Sequence, residues 1–152
     1  MASTITNGTE SASVKPVQLS FPLPRSPQTR IHMHLTVLTT SILLFLTTTA
    51  ADASSGGSPM GSFVYAMPNR TSPTAQPLST ALYTQSQTLD FATRLAKILA
   101  RRTGKPTYVG NSISFAGAGL GGTVEEEMEG MGKVVEVVLA EVGKASAQED
   151  GT

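Results

Sequence analysis

The sequence has no cysteine and only two histidines among its 152 residues. Without cysteine the chain can form no disulfide, no thiolate metal site and no cysteine nucleophile, which fits a reducing compartment. The histidines are His32 and His34, and the aspartates are Asp52, Asp90 and Asp150. So few partners indicate no Ser-His-Asp arrangement. The sequence therefore predicts no catalytic residue, and we expect a protein that is not an enzyme.

Charged residues are also scarce, at 14% of the chain, and the formal net charge is zero. This balance hides two segments of opposite sign. Residues 89–105 carry five basic side chains and one aspartate, a net charge of +4. Residues 123–150 carry eight acids and two lysines, a net charge of −6. Two interpretations stay open: both segments are solvated helix faces, or the basic segment contacts an acidic partner.

The two ends of the chain lack a periodic pattern of apolar residues. We expect disordered tails at residues 1–15 and 144–152, with a single domain at 16–143 between them. The first tail has neither the basic start nor the apolar middle of a signal peptide. The apolar run at residues 35–51 is interrupted by Thr and Ser and has no basic flank. A strand with both faces covered explains that run better than a membrane span does.

A helix is predicted at residues 88–103, and both of its ends are marked in the sequence. Ser86 and Thr88 offer N-cap oxygens before the helix. After it, Gly104 suits the left-handed residue that closes a helix, and Pro106 prevents continuation. Apolar residues recur at three- and four-residue spacing and form one stripe, and the basic residues fall outside that stripe. We therefore predict a partner-binding role for five basic residues on or beside this helix: Arg94, Lys97, Arg101, Arg102 and Lys105.

Alternating apolar and polar residues predict short strands along most of the remaining chain. In residues 30–37 four apolar side chains alternate with polar ones, so His32 and His34 share the polar face. The predicted fold class is α+β, a mainly antiparallel sheet of about five to six strands with two helices, one near 88–103 and one near 124–143. The predicted strands span residues 17–23, 30–37, 41–50, 61–67, 78–84 and 107–115.

The second predicted helix has an ambiguous start. Thr123 is a candidate N-cap, and a stripe of Val and Met residues follows it. Gly130 and Gly132 each cost about 1 kcal/mol relative to Ala inside a helix. Two starts therefore stay open, one near residue 124 and one near Lys133.

A glycine-rich segment at residues 117–122 matches the G-x-G-x-x-G pattern of dinucleotide-binding loops. It follows a predicted strand and precedes a predicted helix. That helix opens with Glu125, Glu126 and Glu127, which place negative charge where a pyrophosphate needs positive potential. We therefore expect a flexible loop that binds no nucleotide cofactor.

His32 and His34 offer two metal ligands at positions i and i+2 of one strand. Two ligands make only half of a site, and no cysteine or obvious acid lies nearby to complete it. We expect ordinary sheet histidines and no bound metal. A small metal- or nucleotide-dependent enzyme that uses this pair or the glycine-rich segment is the alternative function.

Several of these segments occur together in one characteristic order. They are an H-x-H strand at 32–34, the run SILLFL at 41–46, and FATRLAKILARRTGKPTYV at 91–109. This order resembles the proteasome assembly chaperone 4 family, including its fungal members, and the last segment resembles that family's helix, basic Thr-x-Lys turn and following strand. The resemblance covers roughly residues 17–142. It departs at the Gly- and Glu-rich segment 117–132, which we expect to be an inserted loop.

The resemblance implies a non-catalytic chaperone that forms a heterodimer with a related small chaperone. The heterodimer is implied to bind a proteasome α-type subunit and to promote α-ring assembly of the 20S core particle. No cofactor, nucleic acid or membrane is implied, and the expected location is the cytoplasm, with the nucleus as a second site. An adaptor unrelated to the proteasome is a further alternative.

Overall fold

The structure is a computed structural model that describes residues 14–50, 59–72, 74–115 and 123–150. Over these residues the chain forms six β-strands and two α-helices. Residues 1–13 of the tail predicted at 1–15 lie outside the described residues, and so does the glycine-rich segment 117–122. The elements are β1 Val17–Leu23, β2 Ser26–Val37, β3 Ile42–Ala50, β4 Ser62–Met67, β5 Leu78–Tyr83, α1 Leu89–Thr103, β6 Thr107–Ser112 and α2 Val124–Asp150.

The strands form one sheet in the order β1-β2-β3-β6-β4-β5. The first three strands make an antiparallel meander, and β4 pairs with β5 in a second antiparallel unit. β6 lies between the two units, parallel to β3 and antiparallel to β4. The predicted α+β class with a mainly antiparallel sheet is therefore confirmed, and β3 with β6 is the one parallel pair among the described strands.

One face of the sheet packs against both helices and holds the core. The alternation of β2 places Ile31, Met33 and Leu35 on this face, where each is at most 2% exposed. His32 and His34, between them in sequence, lie on the opposite face as predicted. The rest of the core includes Leu44, Val64 and Val109 from the sheet, Leu95 and Leu99 from α1, and Val134 and Val138 from α2.

α1 lies close to its predicted limits, but its N-cap differs from the prediction. Thr88 is the N-cap residue, and its side chain makes no cap hydrogen bond. Its Oγ1 instead accepts a hydrogen bond of 3.0 Å from the backbone N–H of Ser62, because that buried donor needs an acceptor. At the other end Gly104 adopts φ 68° and donates its N–H to the Ala100 carbonyl, as predicted. The N-cap residue of α1 is therefore hydrogen-bonded to Ser62, the first residue of β4.

α2 begins at Val124, the earlier of the two starts that the sequence left open. Thr123 Oγ1 accepts a hydrogen bond from the backbone N–H of Glu126 at 3.3 Å, which caps the first turn. Acidic residues in that turn also suit the positive end of the helix dipole. The expectation of an inserted loop at 117–132 is therefore wrong for its Glu-rich part, which is helical from residue 124.

The first turns of α2 are held in place by packing on one side and by an ion pair on the other. A Cβ added at Gly130 would lie 3.1 Å from the Phe115 ring, so the bare backbone lets the helix approach that ring. On the surface, the Arg25 guanidinium donates to the carboxylates of Glu129 at 2.8 Å and Glu125 at 3.3 Å. The hydrogen bond to Glu129 raises the pKa of Arg25 above its ordinary value. The packing against Phe115 places Gly130 within the helix, and the exposed ion pairs add little to it.

The prediction of a disordered tail at residues 144–152 is wrong for residues 144–150, because α2 continues to Asp150. Gly143, the last residue of the predicted helix, does not adopt a left-handed conformation and so does not end α2. The residues after it include Lys, Ala, Gln and Glu, which favour helix.

The apolar run in β3 was expected to be covered on both faces, but among the described residues the helices pack on only one of them. Leu44 and Leu46 are buried on the side of the helices, whereas Leu43 and Phe45 are half-buried on the other side. β2 also begins at Ser26, earlier than predicted. Among the described residues, no helix has the length and apolar character needed to cross a membrane.

Candidate protein-interaction surfaces

The sheet face away from the helices carries a row of aromatic side chains. Because side chains alternate along a strand, the residues between the core positions of β2, β3, β4 and β6 all point to this side. Each of the rings is half-buried by its neighbours in the sheet. We call this set the aromatic face, and it consists of His34, Phe45, Phe63, Tyr65 and Tyr108.

The rings of the aromatic face contact one another in series. The centroid of Phe63 lies 5.9 Å from that of Phe45 and 6.1 Å from that of Tyr108. Tyr65 lies 4.7 Å from Tyr108, and His34 lies 6.5 Å from Phe45. Aromatic pairs at these separations each contribute about 0.5–1.5 kcal/mol beyond the area they bury. The series therefore forms an ordered apolar surface across four strands.

Gly110 makes this series possible. In the sheet it is paired with Phe45 of β3 on one side and with Phe63 of β4 on the other. A Cβ at this position would lie 2.5 Å from Cδ1 of Phe45, closer than real Cβ contacts come. The two phenylalanine rings can approach each other over β6 because no side chain stands between them.

Exposed apolar surface continues onto β5, at the edge of the sheet. Leu78, Leu82 and Tyr83 are 62%, 54% and 58% exposed, and Met67 on the neighbouring strand is 41% exposed. Of the described strands, only β4 pairs with β5, so the outer backbone edge of β5 is open. Large exposed apolar side chains beside an open strand edge are typical of a surface that another chain covers.

The two histidines border a shallow depression of about 650 Å³ on the aromatic face, beside Phe45 and Gly110. Nε2 of His32 lies 2.6 Å from Oγ1 of Thr49. Over the described part of the chain, no group of three or more His, Cys, Asp or Glu could hold a metal ion. The pair supplies polar groups at the rim of an apolar surface.

The structure brings three of the five predicted basic residues together. Arg94, Lys97 and Arg101 line a shallow surface around Ile98 and beside Pro77. Helical spacing explains the grouping, because positions three and four apart lie next to each other. We call these three residues the basic surface.

The other two basic residues do not line this shallow surface. Arg102 lines a groove between α1 and α2. Lys105 Nζ donates to the backbone carbonyl of Leu38 at 3.2 Å, which attaches it to the turn between β2 and β3. Within the basic surface, Nε of Arg94 lies 3.1 Å from the Asp90 carboxylate, and both side chains are largely exposed.

The aromatic face was not predicted as a site from the sequence. Part of the signal was present, since Phe63 and Tyr65 flank the buried Val64, and Tyr108 precedes the buried Val109. Alternation alone would have placed each ring on the face opposite the core. Their proximity depends on the strand order, because β6 enters the sheet between β3 and β4.

Comparison with known proteins agrees with this architecture. One similar solved chain comes from a crystal structure described as a novel chaperone complex for yeast 20S proteasome assembly. The likeness has a TM-score of 0.56 and 16% sequence identity, covers 86% of this chain and 95% of that chain, and shows a shared fold. A comparison with curated protein sequences gave no match. The sequence model of the proteasome assembly chaperone 4 family matches residues 30–113, more than half of the chain. The chain therefore belongs to the proteasome assembly chaperone 4 family.

Proposed function

We propose that the protein is a non-catalytic chaperone that acts as a heterodimer with a related small chaperone. The heterodimer binds a proteasome α-type subunit and promotes α-ring assembly of the 20S core particle, in the cytoplasm and also in the nucleus. Family membership supports the role in proteasome assembly. The heterodimer is proposed from the aromatic face, because neither described helix packs on that side of the sheet.

A second sheet is the natural cover for this surface. Sheets pack face to face at about 10 Å, and a stable interface buries roughly 800 Å² on each partner. The rings of the aromatic face are already half-buried, so their exposed edges supply only part of that area, and the more exposed apolar side chains of β5 add to it. The related chaperone would bring a sheet of its own to this side of the molecule.

The basic surface lies on α1 and is therefore on the opposite side of the sheet from the aromatic face. We propose that Arg94, Lys97 and Arg101, together with Arg102 and Lys105, contribute to partner capture. Charge of one sign on a surface increases the rate of encounter with an oppositely charged partner. With one partner on each side of the sheet, both can be bound at the same time.

The proposal is tested by replacing Phe63 and Tyr65 with serine in the chain co-expressed with the small chaperone. We expect the affinity of the heterodimer to fall at least about tenfold, because the centre of the apolar interface is lost. The matched control is Val14→Ser, an exposed apolar residue before β1 that does not belong to the aromatic face. Circular dichroism checks that both variants fold.

The second half of the experiment follows the α-type subunit. Wild-type heterodimer should bind an isolated α-type subunit and increase the yield of α-rings, and the Phe63/Tyr65 variant should increase that yield less at concentrations where its heterodimer dissociates. A wild-type heterodimer that neither binds α-type subunits nor affects ring assembly would contradict the proposed function. A Phe63/Tyr65 variant that still forms the heterodimer would contradict the role of the aromatic face.

A further inference from the structure

A groove runs between α1 and α2, on the side of the sheet opposite the aromatic face. Its volume is about 720 Å³. Apolar side chains line it, namely Ile98 from α1 and Met131, Val135 and Leu139 from α2. Met128 stands beside them and is 65% exposed. The fold leaves this apolar surface open to solvent, which is unusual between two packed helices.

The two walls of the groove carry opposite charge. Arg94 and Arg102 lie on the α1 wall, and Glu127 and Glu136 lie on the α2 wall. Asp90 is also on the α1 wall, where it pairs with Arg94. Among the described residues no ion pair crosses the groove. Arg94 pairs with Asp90 within α1, and Glu136 pairs with Lys133 within α2. The groove therefore presents a basic border and an acidic border on either side of an apolar floor.

Gly132 lines the same groove, and no described residue packs against it. A Cβ added there would meet nothing within 4 Å, in contrast to Gly130 two residues earlier, which lies against Phe115. A glycine inside a helix costs about 1 kcal/mol relative to alanine. The missing side chain keeps the groove open and allows another backbone to come close to α2. Gly143 has equal space but does not line the groove.

The geometry points to this groove as the site that takes an amphipathic helix of the proteasome α-type subunit. The inference rests on the proposed function and adds to it which surface the α-type subunit occupies. The bound helix presents an apolar stripe to the floor, acidic residues to the α1 wall and basic residues to the α2 wall. The opposite charges of the two walls determine which side of the apolar stripe carries acidic residues and which side carries basic residues.

A helix fits this groove better than an extended segment does. Both walls are helices whose backbone groups are already bonded internally, so they offer no partners to the N–H and C=O groups of a strand. A helix satisfies its own backbone. The α1 wall runs from Asp90 to Arg102, which at 1.5 Å per residue is about 18 Å, the length of roughly twelve helical residues.

The decisive variant is Gly132→Leu, which fills the groove without removing any contact of the fold. Gly143→Leu is the matched control, because it makes the same change on the same helix, also in open space. Both variants are measured as heterodimers with the small chaperone, by titration with an isolated α-type subunit. We expect Gly132→Leu to weaken α-subunit binding at least about tenfold and Gly143→Leu to leave it within about twofold. Heterodimer formation should be unchanged in both.

Charge reversal tests whether the basic α1 wall and the acidic α2 wall each bind residues of opposite charge. Arg102→Glu and Glu127→Lys should each weaken binding of the α-type subunit, although they change the net charge in opposite directions. A simple attraction to an acidic partner would instead be strengthened by Glu127→Lys. An increase in affinity for that variant overturns the proposed charge order.

A photo-crosslinking amino acid in place of Met128 identifies the occupant. We expect a crosslink to an amphipathic helix of the α-type subunit. A crosslink to the small chaperone, or to a loop or strand of the α-type subunit, overturns the inference. If the wild-type heterodimer binds no α-type subunit, the proposed function fails and the inference fails with it. If the wild-type and both glycine variants bind equally well, only the groove is excluded and the proposed function stands.

Discussion

The rings of Phe45 and Phe63 stack with their centroids 5.9 Å apart and their planes 9° apart, although the two residues belong to strands that are not neighbours. Gly110 of the intervening strand lies between them in the sheet register. One missing side chain therefore turns two separate half-buried rings into a continuous flat surface. The consequence for binding is that this surface is formed before a partner arrives, which lowers the entropy cost of association.

Gly110→Ala should separate the effect on binding from the effect on folding. The new Cβ would lie 2.5 Å from the Phe45 ring, and the ring can turn toward solvent to avoid it. We expect the free energy of unfolding to fall by about 1 kcal/mol and the heterodimer affinity to fall about tenfold. Urea unfolding and titration with the small chaperone measure the two quantities. An unchanged affinity would show that the stacked arrangement does not matter for binding.

Gly61→Ala should be far more damaging to the fold. Gly61 has φ 69°, and a Cβ there would lie 2.0 Å from the Asn111 carbonyl oxygen, a backbone atom that cannot turn aside. The left-handed conformation adds about 1–2 kcal/mol for a residue with a side chain, and the clash adds about 1–3 kcal/mol. We expect unfolding at a clearly lower urea concentration. A variant within about 1 kcal/mol of wild type would contradict the described contact with β6.

Gly132→Ala and Gly130→Ala form a matched pair in α2. At Gly132 a Cβ meets nothing within 4 Å, so alanine should raise the free energy of unfolding by up to about 1 kcal/mol. At Gly130 the Cβ lies 3.1 Å from the Phe115 ring, so the same helix gain is offset by crowding. Thermal unfolding of the two variants measures the difference. Equal stabilisation would mean that α2 packs less closely on Phe115 than the structure shows.

Thr88→Val should destabilise the junction of α1 with β4. Oγ1 of Thr88 accepts from the buried N–H of Ser62 at 3.0 Å, and valine has the same shape without the acceptor. A buried donor left unpaired costs about 1–3 kcal/mol. The control is Thr80→Val, the same change at an exposed position of β5. Urea unfolding should resolve the two, and equal small effects would contradict the role of this hydrogen bond.

Reversal of the basic surface by Arg94→Glu, Lys97→Glu and Arg101→Glu should slow association with the small chaperone or with α-type subunits. The wild-type rate should fall as salt is added, because salt screens attraction over about 10 Å at 0.1 M. The control reverses the same amount of charge at Lys15, Arg70 and Lys144, which are exposed elsewhere. Stopped-flow association at low and high salt is the measurement. Equal rates for both triple variants and wild type would mean that the basic surface is only solvated.

Local patterns were sufficient to predict most of the elements. Strict alternation in residues 30–37 predicted which face of β2 is buried, and Gly104 marked the end of α1. The same local reasoning failed at α2, where the helix cost of Gly130 was visible in the sequence but its packing against Phe115 was not. A helix start decided by a tertiary contact cannot be predicted from propensity alone.

The candidate sites depended still more on tertiary structure. The basic residues could be grouped from helical spacing, but Lys105 turned out to contact the Leu38 carbonyl. The aromatic face was not predicted, because Phe45 and Phe63 meet only through the position of β6 in the sheet. The groove was missed for a similar reason, since α1 and α2 are separated in sequence by β6 and their facing charges become visible only when the helices are packed.

The central position of β6 has a consequence for how the chain emerges from the ribosome. The meander of β1 to β3 and the pair of β4 with β5 can each form as soon as they are synthesised, because their contacts are local. The edges of β3 and β4 that face each other stay open until β6, at Thr107–Ser112, has been made and inserted between them. A nascent chain of this protein is therefore most exposed to aggregation just before its last strand appears.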